Sequence, residues 1–486
     1  MYRKLHGFFA AIAAALAILS ATSAPAVMAQ TDAPLAGSWL GSLQVGAVQL
    51  RIVFNISVDS TGAYTATLDS PDQGAQGIPV GSVVLQADSV QIGVPMIGGR
   101  YDGTLAETGS RIEGRWSQGG QSFSLDLDRT EAPFTLVRPQ EPKPPFPYRV
   151  EEVVIPNEAA GIRLAGTLTI PEGEGPHPGV VLVTGSGPQD RDEALLGHKP
   201  FAVLADYLTR RGIAVLRHDD RGVGGSTGDF ATALTPDFAE DAVAAVNFLR
   251  DRDEIDEDRV GLVGHSEGGL SGPLAALAAP EAVNFLVLLA PPGISGDQIL
   301  YLQDSLMMAA AGASKEMIEV TRTRKDALFP VIRSVEGVDE RRDSLMKVMS
   351  SFEFAAEEQA YYDSAGVSLD QLIAQQVSMM SSDWFRWFMT YDPAPTLRKL
   401  AVPVLAIIGE KDLQVPAEQN IPALEAALAG SGTDDYLVRE LPGLNHLFQH
   451  AETGHISEYS KIEETFAPEA LKLIGDWILE HVESQN

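Results

Sequence analysis

The sequence has no cysteine among its 486 residues. This absence excludes disulfide bonds, a lipid-anchored cysteine, thiol catalysis and metal sites with cysteine ligands. After the first 29 residues the chain also lacks an apolar run of about 18 residues, the length that a membrane-spanning helix needs. We therefore expect a mature protein without a membrane span, whose stability depends on its hydrophobic core.

Positive charge is also scarce. The chain has 35 Lys and Arg against 66 Asp and Glu, which gives a formal net charge of −31. The only charged residues among the first 29 are Arg3 and Lys4, so removing this segment would change the charge from −31 to −33. Such acidity disfavours nucleic acids and anionic membrane surfaces as partners. We expect neither of them to bind.

The first 29 residues have the pattern of an export signal. A basic start, "MYRK", precedes the short apolar run "FFAAIAAALAIL", and the small-residue stretch "VMA" ends just before Gln30. This combination is typical of a secretory signal peptide, and its apolar run is too short for a spanning helix. We predict a signal peptide at 1–29 and a periplasmic or extracellular protein.

Residues 30–137 indicate a small antiparallel β domain. About eight short runs, such as "VQLRIVF" and "SFSLDL", alternate apolar and polar residues between turns rich in Gly, Asp, Ser and Pro. This pattern predicts a barrel or sandwich, with Trp39 and Trp116 in its core. The proline-rich stretch "RPQEPKPPFPYR" at 138–149 predicts an extended, semi-rigid linker.

The pattern changes over residues 150–486 to buried strands that alternate with helices. Continuous apolar runs of this kind suit a parallel sheet covered on both faces, as in a doubly wound α/β domain. Thr235 and Pro236 are the expected cap and first turn of one connecting helix. The region from about 294 to 398 contains amphipathic helical patterns but no strand, and we interpret it as an inserted helical cap. The predicted strands lie in 179–185, 212–220, 259–266, 284–293 and 402–412.

The stretch "VGLVGHSEGG" carries the clearest chemical motif. Gly264, Ser266 and Gly268 form the pattern G-x-S-x-G between a buried strand and a helix. In this context the serine occupies a sharp turn, its neighbours must be very small, and the helix N-terminus favours developing negative charge. We predict that Ser266 is a nucleophile and that the backbone N–H of Glu267 donates to the oxyanion. The alternative is a glycine-rich turn with an incidental serine.

A serine nucleophile needs a base and an acid that orients the base, and in this fold they follow the serine in the order acid, then histidine. Asp412 in "GEKDLQVP" comes just after a predicted strand and is the preferred acid, with Glu410 as its competitor. His446 in "LPGLNHLFQ" follows the probable strand "YLVREL" and is the preferred base, with His450 in reserve.

The loop "TGSGPQDRD", residues 184–192, is expected to supply the second oxyanion donor. Its glycines allow backbone N–H groups to approach a substrate oxygen, and we favour Ser186, followed by Gly187. The charged residues of the loop, Asp190, Arg191 and Asp192, are expected to pair with one another and brace it.

Six motifs in chain order support a family resemblance over residues 150–486. They are "GSGPQDRD", "RHDDRGVGGSTG", "GLVGHSEGG", "WFRWFMTYDPAPTLRKL", "PVLAIIGEKDLQVP" and "GLNHLF". With these motifs the chain resembles the secreted bacterial carboxylesterases of EstD type, near the serine aminopeptidase-like branch of the α/β-hydrolase superfamily. The resemblance implies that Ser266, Asp412 and His446 form the catalytic triad, and that Ser186 and Glu267 flank the oxyanion site.

The chain departs from the family pattern at two positions. Thr184 stands where many relatives carry a histidine, so the hydrogen bonding of the oxyanion loop is expected to differ. Pro273 falls several residues into the predicted nucleophile helix, where it should kink the helix or end its first segment.

These observations predict a metal-independent serine hydrolase that acts on carboxylic esters with short to medium acyl chains. No cofactor is implied, since the sequence has no HExxH and no P-loop, and "RGVGGSTG" lacks the spacing and context of a dinucleotide site. A serine peptidase or aminopeptidase is the main alternative, with Glu353, Glu357 or Glu358 available for a substrate amine. Exposed helix charges explain those glutamates better. An inert hydrolase-like binding protein is a further alternative, and the oligomeric state is not predicted.

The predicted cap is the candidate source of the acyl pocket. It holds 8 of the 11 methionines together with Trp384 and Trp387, which are three residues apart and so share one face of a helix. Most of the methionines are expected to pack cap helices together, but flexible thioethers also adapt to varied acyl chains. We therefore name Trp384 and Trp387 as pocket candidates for short to medium acyl groups.

Overall fold

The computed structural model describes residues 33–45, 48–71, 75–118, 121–131, 137–354 and 369–483. The predicted signal peptide at 1–29 lies outside these residues. Internal contacts divide the chain into two units. The first comprises 1–137 and 353–374, and the second comprises 138–352 and 375–486.

The first unit contains one antiparallel sheet that is curled around a single core. Its strand order is β4-β3-β2-β1-β10-β8-β7-β6-β5, and β9 pairs with β8. The ten strands are β1 (Gly37–Val45), β2 (Val48–Val58), β3 (Tyr64–Ser70), β4 (Ala75–Pro79), β5 (Ser82–Gln86), β6 (Ser89–Val94), β7 (Gly99–Leu105), β8 (Arg111–Gln118), β9 (Gln121–Ser124) and β10 (Leu127–Thr130).

Aromatic side chains form the centre of this β unit. Trp39 and Trp116 are buried there, as predicted, together with Phe54 and Tyr101. The Phe54 ring lies 5.9 Å from the Tyr101 ring and 6.2 Å from the Trp116 ring, measured between centroids. The strand pattern thus identified the all-β region, although the described part has ten strands rather than about eight.

The second unit is built on an eight-stranded sheet of order β11-β12-β14-β13-β15-β16-β17-β18. The strands from β14 through β18 in this order pair in parallel, whereas β11 and β12 form an antiparallel edge. The strands are β11 (Tyr148–Asn157), β12 (Ile162–Pro171), β13 (His177–Val183), β14 (Ala214–His218), β15 (Ile255–His265), β16 (Leu286–Leu289), β17 (Val404–Gly409) and β18 (Tyr436–Leu441).

The five predicted strands correspond to β13 through β17, and "YLVREL" corresponds to β18. The sequence analysis missed the edge hairpin of β11 and β12. Strand β11 begins inside the predicted linker and keeps two valines, Val150 and Val154, exposed. An edge strand lacks the continuous apolar run that marks the buried strands, so the same criterion could not find it.

Helices cover both faces of this sheet. The described helices of more than one turn are α1 (Pro200–Thr209), α2 (Thr235–Arg250), α3 (Gly268–Ala278), α4 (Gly296–Ala310), α5 (Lys315–Ser334), α6 (Val338–Met349), α7 (Leu369–Met380), α8 (Asp383–Thr390), α10 (Ala417–Leu428) and α11 (Pro468–Glu483), and α9 (Ala394–Leu397) is a single turn. Successive residues of β13 point to opposite cores. Val181 and Val183 pack in a cluster with residues of α2, α3 and α10, whereas Val180 and Leu182 pack with residues of α1 and α11.

The segment between β16 and β17 contributes α4 through α9. We refer to its residues 296–352 and 375–397 as the helical insertion. Arg341 is fully buried in it and donates hydrogen bonds to the carbonyl of Ser381 and to the carboxylate of Asp383. A buried guanidinium requires such partners, so this residue joins α6 to the start of α8.

The beginning of the predicted linker is bound to the second unit. The guanidinium of Arg138 donates to the carbonyls of Leu196 and Ser460, at 2.9 and 3.1 Å. The side-chain oxygen of Gln140 accepts hydrogen bonds from the backbone N–H groups of Thr465 and Phe466. These contacts fix the chain well before β11 starts.

Two local expectations about helices differ in outcome. Helix α3 includes Pro273, so of the two effects expected of this proline, a kink or an end of the first segment, the second is wrong. Thr235 is the first residue of α2 but does not cap it, because its hydroxyl donates to Glu267. The side chain of Asp237 instead accepts the N–H of Leu234 at the start of the helix. In the described part of the chain, no helix combines the length and apolarity that crossing a membrane requires.

Candidate active site

Ser266 lies in the sharp turn between β15 and α3. Its φ angle is +53°, a left-handed conformation that is unusual for any residue other than glycine. The backbone N–H of Ser266 donates a hydrogen bond of 2.8 Å to the carbonyl of Leu289, the last residue of the neighbouring strand β16. Strained backbone of this kind persists only where the surroundings hold it, and it is common at active sites.

Two glycines allow this turn to form. A Cβ atom on Gly264 would lie 2.1 Å from the carbonyl oxygen of Gly268, and a Cβ on Gly268 would lie 2.3 Å from that of Val183. Both distances are far below van der Waals contact, and the obstructing atoms are backbone. The spacing of small residues in G-x-S-x-G therefore has a direct steric cause here.

Asp412 and His446 form a buried hydrogen-bonded pair. Asp412 follows β17, His446 follows β18, and the Nδ1 atom of His446 lies 2.7 Å from Oδ2 of Asp412. The other carboxylate oxygen of Asp412 accepts the N–H groups of Gln414 and Val415, each at 2.8 Å. An ionised carboxylate only accepts hydrogen bonds, so Nδ1 carries a proton and Nε2 is left as the basic nitrogen.

The competing residues have other partners. Glu410 accepts the backbone N–H of Gly443. The imidazole of His450 is largely exposed, and its two nitrogens lie 2.9 Å from carboxylate oxygens of Glu464 and Glu469. The hydrogen bond to Glu464 is the main cause that raises the pKa of His450. The structure thus brings Asp412 to His446 and keeps both competitors in separate contacts.

The loop after β13 passes next to the serine. A Cβ on Gly185 would lie 3.2 Å from the Cβ of Ser266. The N–H of Gly185 already donates to Oε1 of Glu193 at 2.8 Å. The next two residues are the predicted oxyanion donors, Ser186 and Gly187, and Gly187 has a φ of +95°.

Thr184 anchors the start of this loop. Its hydroxyl donates to Asp220 at 2.7 Å, and the other oxygen of Asp220 accepts the N–H of Gln189 at 2.9 Å. Burial raises the pKa of Asp220 well above its usual value, and these hydrogen bonds offset only part of that effect.

The charged residues of the loop do not pair with one another as expected. Arg191 forms a two-pronged ion pair with Asp219, and Asp192 pairs with Arg217. Burial alone would raise the pKa of Asp219, but the hydrogen bonds from Arg191 and from backbone N–H groups lower it overall. The loop is therefore held against the end of β14. A partner on another strand restrains the loop more than a partner within the loop would.

The side chain of Glu267 is an acid that the sequence analysis considered only for its backbone. It is 3 % exposed, and its Oε1 accepts hydrogen bonds from the Thr235 hydroxyl at 2.5 Å and from Trp384 Nε1 at 2.8 Å. The Ser186 hydroxyl also favours its ionised form. Burial raises the pKa of Glu267, and these three hydrogen bonds lower it by less.

The two predicted pocket tryptophans differ in their surroundings. Trp384 reaches the nucleophile turn through Glu267 and stacks on Phe388, with ring centroids 5.8 Å apart. Trp387 stacks on Tyr391 at 4.3 Å. Trp384 is therefore joined to the candidate site by a hydrogen bond, whereas the described contact of Trp387 is with Tyr391.

His265 and Glu193 form a second buried histidine–carboxylate pair, which the sequence analysis missed. His265 Nδ1 lies 2.9 Å from Oε1 of Glu193, and its Nε2 lies 3.0 Å from the carbonyl oxygen of His446. The available signal was a histidine directly before the nucleophile and an acid just after the oxyanion loop. A prediction that His265 and Glu193 pair would require the knowledge that the loop after β13 folds back over β15.

Comparison with known proteins gives one family match and several relatives. Residues 199–358 match the family model described as serine aminopeptidase, S33. The esterase EstD of Thermotoga maritima is 28% identical over 294 residues, which are 60% of this chain and 59% of EstD. An uncharacterised 31.7 kDa protein of Escherichia coli is 21% identical over 321 residues, 66% of this chain and 96% of that protein.

Solved structures of esterases also align with the chain. Est1E of Butyrivibrio proteoclasticus with bound ferulic acid aligns with a TM-score of 0.38 at 17% identity, over 68% of this chain and 99% of its own. An esterase of Pyrococcus furiosus gives 0.41 at 16% identity, over 69% and 92%.

The family match lies within residues 150–486, the region for which the resemblance was predicted. It begins just before α1 and includes the nucleophile turn and the part of the helical insertion at 296–352. The alignment with EstD spans 60% of this chain and 59% of the length of EstD. The chain is similar to the esterase EstD, and its residues 199–358 match the family model described as serine aminopeptidase, S33.

Proposed function

We propose that this protein is a serine hydrolase that cleaves carboxylic esters with short to medium acyl chains. The observation that carries the proposal is the buried hydrogen bond between Asp412 and His446. The pair is close to the nucleophile turn, since the carbonyl of His446 lies 3.0 Å from the side chain of His265, the residue that precedes Ser266.

In the proposed reaction His446 acts as the base. Its Nε2 takes the proton of the Ser266 hydroxyl while the serine oxygen attacks the ester carbonyl carbon. Asp412 holds the imidazole in the tautomer that has a free Nε2 and stabilises the imidazolium that forms. The two backbone N–H groups that bind Asp412 keep its carboxylate directed at Nδ1.

The negative charge that develops on the substrate oxygen needs donors that are already in place. We assign this role to the N–H of Glu267 and to the N–H of Ser186, with Gly187 as the next candidate. His446 then protonates the leaving alkoxide, which gives an alcohol and an acyl-serine. A water molecule, deprotonated by the same imidazole, attacks the acyl-serine and releases the carboxylic acid and the free enzyme.

Covalent labelling tests this proposal most directly. A fluorophosphonate probe should label the wild type at Ser266 and should leave Ser266→Ala unlabelled. The same preparations should differ in hydrolysis of p-nitrophenyl acetate. A folded wild-type protein that neither reacts with the probe nor hydrolyses the ester would favour the alternative of an inert binding protein.

An aminopeptidase is the second candidate, because the matching family model is described by that activity. Such an enzyme needs an acid for the free amine of its substrate. Glu267 is near the serine, but Thr235 and Trp384 already donate to it. Of the glutamates that the sequence suggested, Glu357 and Glu358 lie outside the described residues. Comparing turnover of an aryl acetate with that of an aminoacyl anilide separates the two activities.

Two further parts of the proposal concern location and pocket. We propose that the protein is exported by its N-terminal segment and acts in the periplasm or outside the cell. We also propose that the helical insertion is a cap over the crevice above Ser266. The hydrogen bond from Trp384 to Glu267 supports the second part, because it connects α8 with the residue next to the nucleophile.

A further inference from the structure

The imidazole of His265 lies between two hydrogen-bond acceptors. One is the carboxylate of Glu193, 2.9 Å from Nδ1, and the other is the backbone carbonyl of His446, 3.0 Å from Nε2. The same oxygen of Glu193 also accepts the N–H of Gly185. His265 therefore joins the oxyanion loop, the nucleophile turn and the chain that carries the proposed base.

Beside an ionised Glu193, this geometry favours a doubly protonated ring. A carbonyl and an ionised carboxylate only accept hydrogen bonds, so a neutral imidazole would leave one ring nitrogen with its lone pair facing an acceptor. Two donors are needed, and an imidazolium supplies both. Burial alone would lower the pKa of His265, but the charge of Glu193 and the hydrogen bonds to Glu193 and His446 raise it overall.

The surroundings make this charge pair strong. The titratable groups that act on His265 are Glu193, Asp412 in the loop after β17 and His446 in the loop after β18. Asp220 interacts in turn with Glu193. The rest of the enclosure around the pair is apolar, with Phe201, Leu289, Leu447, Phe448 and Phe466. In such a site an ion pair is screened little, and a lone charge would be costly.

We propose that His265 is a positioning residue, held as an imidazolium by Glu193, that fixes the carbonyl of His446 and the Gly185 end of the oxyanion loop in one arrangement. The proposal rests on the proposed serine hydrolase function. The role of His265 is indirect, since this residue contacts the loop and the backbone of the base rather than the ester. Because Glu193 and His265 together are almost neutral, the pair does not oppose the positive charge that His446 gains during the reaction.

The glutamine variant Glu193→Gln tests the charge separately from the contacts. Its side-chain oxygen can still accept the N–H of Gly185 and the Nδ1–H of a neutral His265, so both contacts are kept while the charge that favours an imidazolium is lost. In ¹⁵N-labelled wild type at neutral pH we expect two ring N–H protons on His265, protected from exchange, and in Glu193→Gln only one. His265→Gln identifies the resonances by their loss. His450→Gln is the matched control, because His450 also pairs with a carboxylate but is largely exposed.

Kinetics test the positioning role. We expect Glu193→Gln and His265→Gln to lower kcat on p-nitrophenyl acetate by about 10- to 100-fold, the cost of a small misplacement, with KM changed much less. The raised pKa of His265 places its loss of charge above 6.5. Wild-type kcat should therefore fall on an alkaline limb that Glu193→Gln lacks, whereas His450→Gln should keep both the rate and the limb.

The outcomes distinguish this inference from the proposed function. A single ring proton on His265 in the wild type, or an unchanged alkaline limb in Glu193→Gln, would overturn the inference while fluorophosphonate labelling of Ser266 still upheld the function. Absence of labelling and of ester hydrolysis in the wild type would refute the function and the positioning role with it. In that case the count of ring protons would still show whether His265 is charged.

Discussion

Trp384 Nε1 donates a hydrogen bond of 2.8 Å to Oε1 of Glu267. The first residue belongs to α8 of the helical insertion, and the second directly follows Ser266. The Thr235 hydroxyl, at the start of α2, donates to the same oxygen. A single buried carboxylate thus holds three segments of the chain together next to the proposed nucleophile.

The charge of Glu267 should make stability depend on pH. Burial raises its pKa above the usual 4.5 in the folded protein. Its contribution to stability is therefore complete below 4.5 and is lost as the pH rises through the folded pKa. In Glu267→Gln the amide oxygen can accept the same two hydrogen bonds without a charge. We expect the variant to gain stability relative to wild type as the pH rises above 4.5.

The measurement is the Tm of both proteins from pH 4 to 8. Glu410→Gln serves as the control, because it makes the same change of side chain at an exposed position, where Glu410 accepts the N–H of Gly443. A Tm difference between wild type and Glu267→Gln that stays constant over the whole range would contradict the prediction.

The proposed triad predicts large losses of activity without loss of fold. Ser266→Ala and His446→Ala should lower kcat by roughly 10⁴- to 10⁶-fold, and Asp412→Asn by somewhat less. Each change removes a group that acts in the bond-making steps and leaves the turn geometry in place. Single-turnover and steady-state assays with p-nitrophenyl acetate measure the loss, and circular dichroism verifies the fold.

His450→Ala is the natural control for this series, since its imidazole pairs with Glu464 and Glu469 instead of Asp412. We expect activity within about twofold of wild type, as for surface substitutions away from the chemistry. If His450→Ala were inactive and His446→Ala active, the assignment of the base would be wrong.

The sequence predicted those features that depend on local pattern. The buried strands could be predicted because their apolar residues are continuous. The G-x-S-x-G motif could be recognised because its two glycines are sterically required: backbone atoms lie within 2.3 Å of where their Cβ atoms would be. The order of acid and histidine after Ser266 then limited the candidates to a few loops. The edge strand β11 was missed because half of its residues face solvent and break the apolar pattern.

What the sequence could not provide was the pairing of polar groups that are distant in the chain. Glu193 and His265 are 72 residues apart, and Glu267 and Trp384 are 117 apart. A glutamate or histidine in a loop has many possible partners, and only the fold chooses among them. For the same reason Arg191 was expected to bind its neighbours, whereas its partner, Asp219, lies beyond the next strand.

Residues 1–137, the N-terminal part of the first unit, should be dispensable for hydrolysis of a small ester, provided that the contacts of Arg138 and Gln140 are kept. A chain that begins at Arg138 retains all the proposed catalytic groups and should keep appreciable activity. A chain that begins at Pro145 lacks the hydrogen bonds of both residues to the second unit. We expect its Tm to be lower, by about 2–4 °C for each kcal/mol of stability lost.

Thermal melts and kcat/KM on p-nitrophenyl acetate compare the two truncated chains with the full one. The double variant Arg138→Ala, Gln140→Ala in the longer chain isolates the contribution of the hydrogen bonds from that of chain length. If the longer truncated chain folded but had no activity, residues 1–137 would have to take part in forming the site.

The helical insertion should set the preference for acyl chain length. Each buried methylene of the substrate contributes about 0.8 kcal/mol, so kcat/KM should rise roughly 10-fold or more from acetyl to butyryl esters. The value of kcat/KM should decline once the acyl chain outgrows a closed pocket.

Trp384→Phe removes the hydrogen bond to Glu267 and should change this dependence of kcat/KM on acyl chain length. Trp387→Ala, which loses its stacking on Tyr391, tests the second predicted pocket residue. The assay is kcat/KM over linear p-nitrophenyl esters of two to twelve carbons. A profile that is flat in the wild type and the same in both variants would show that the insertion does not shape the acyl site.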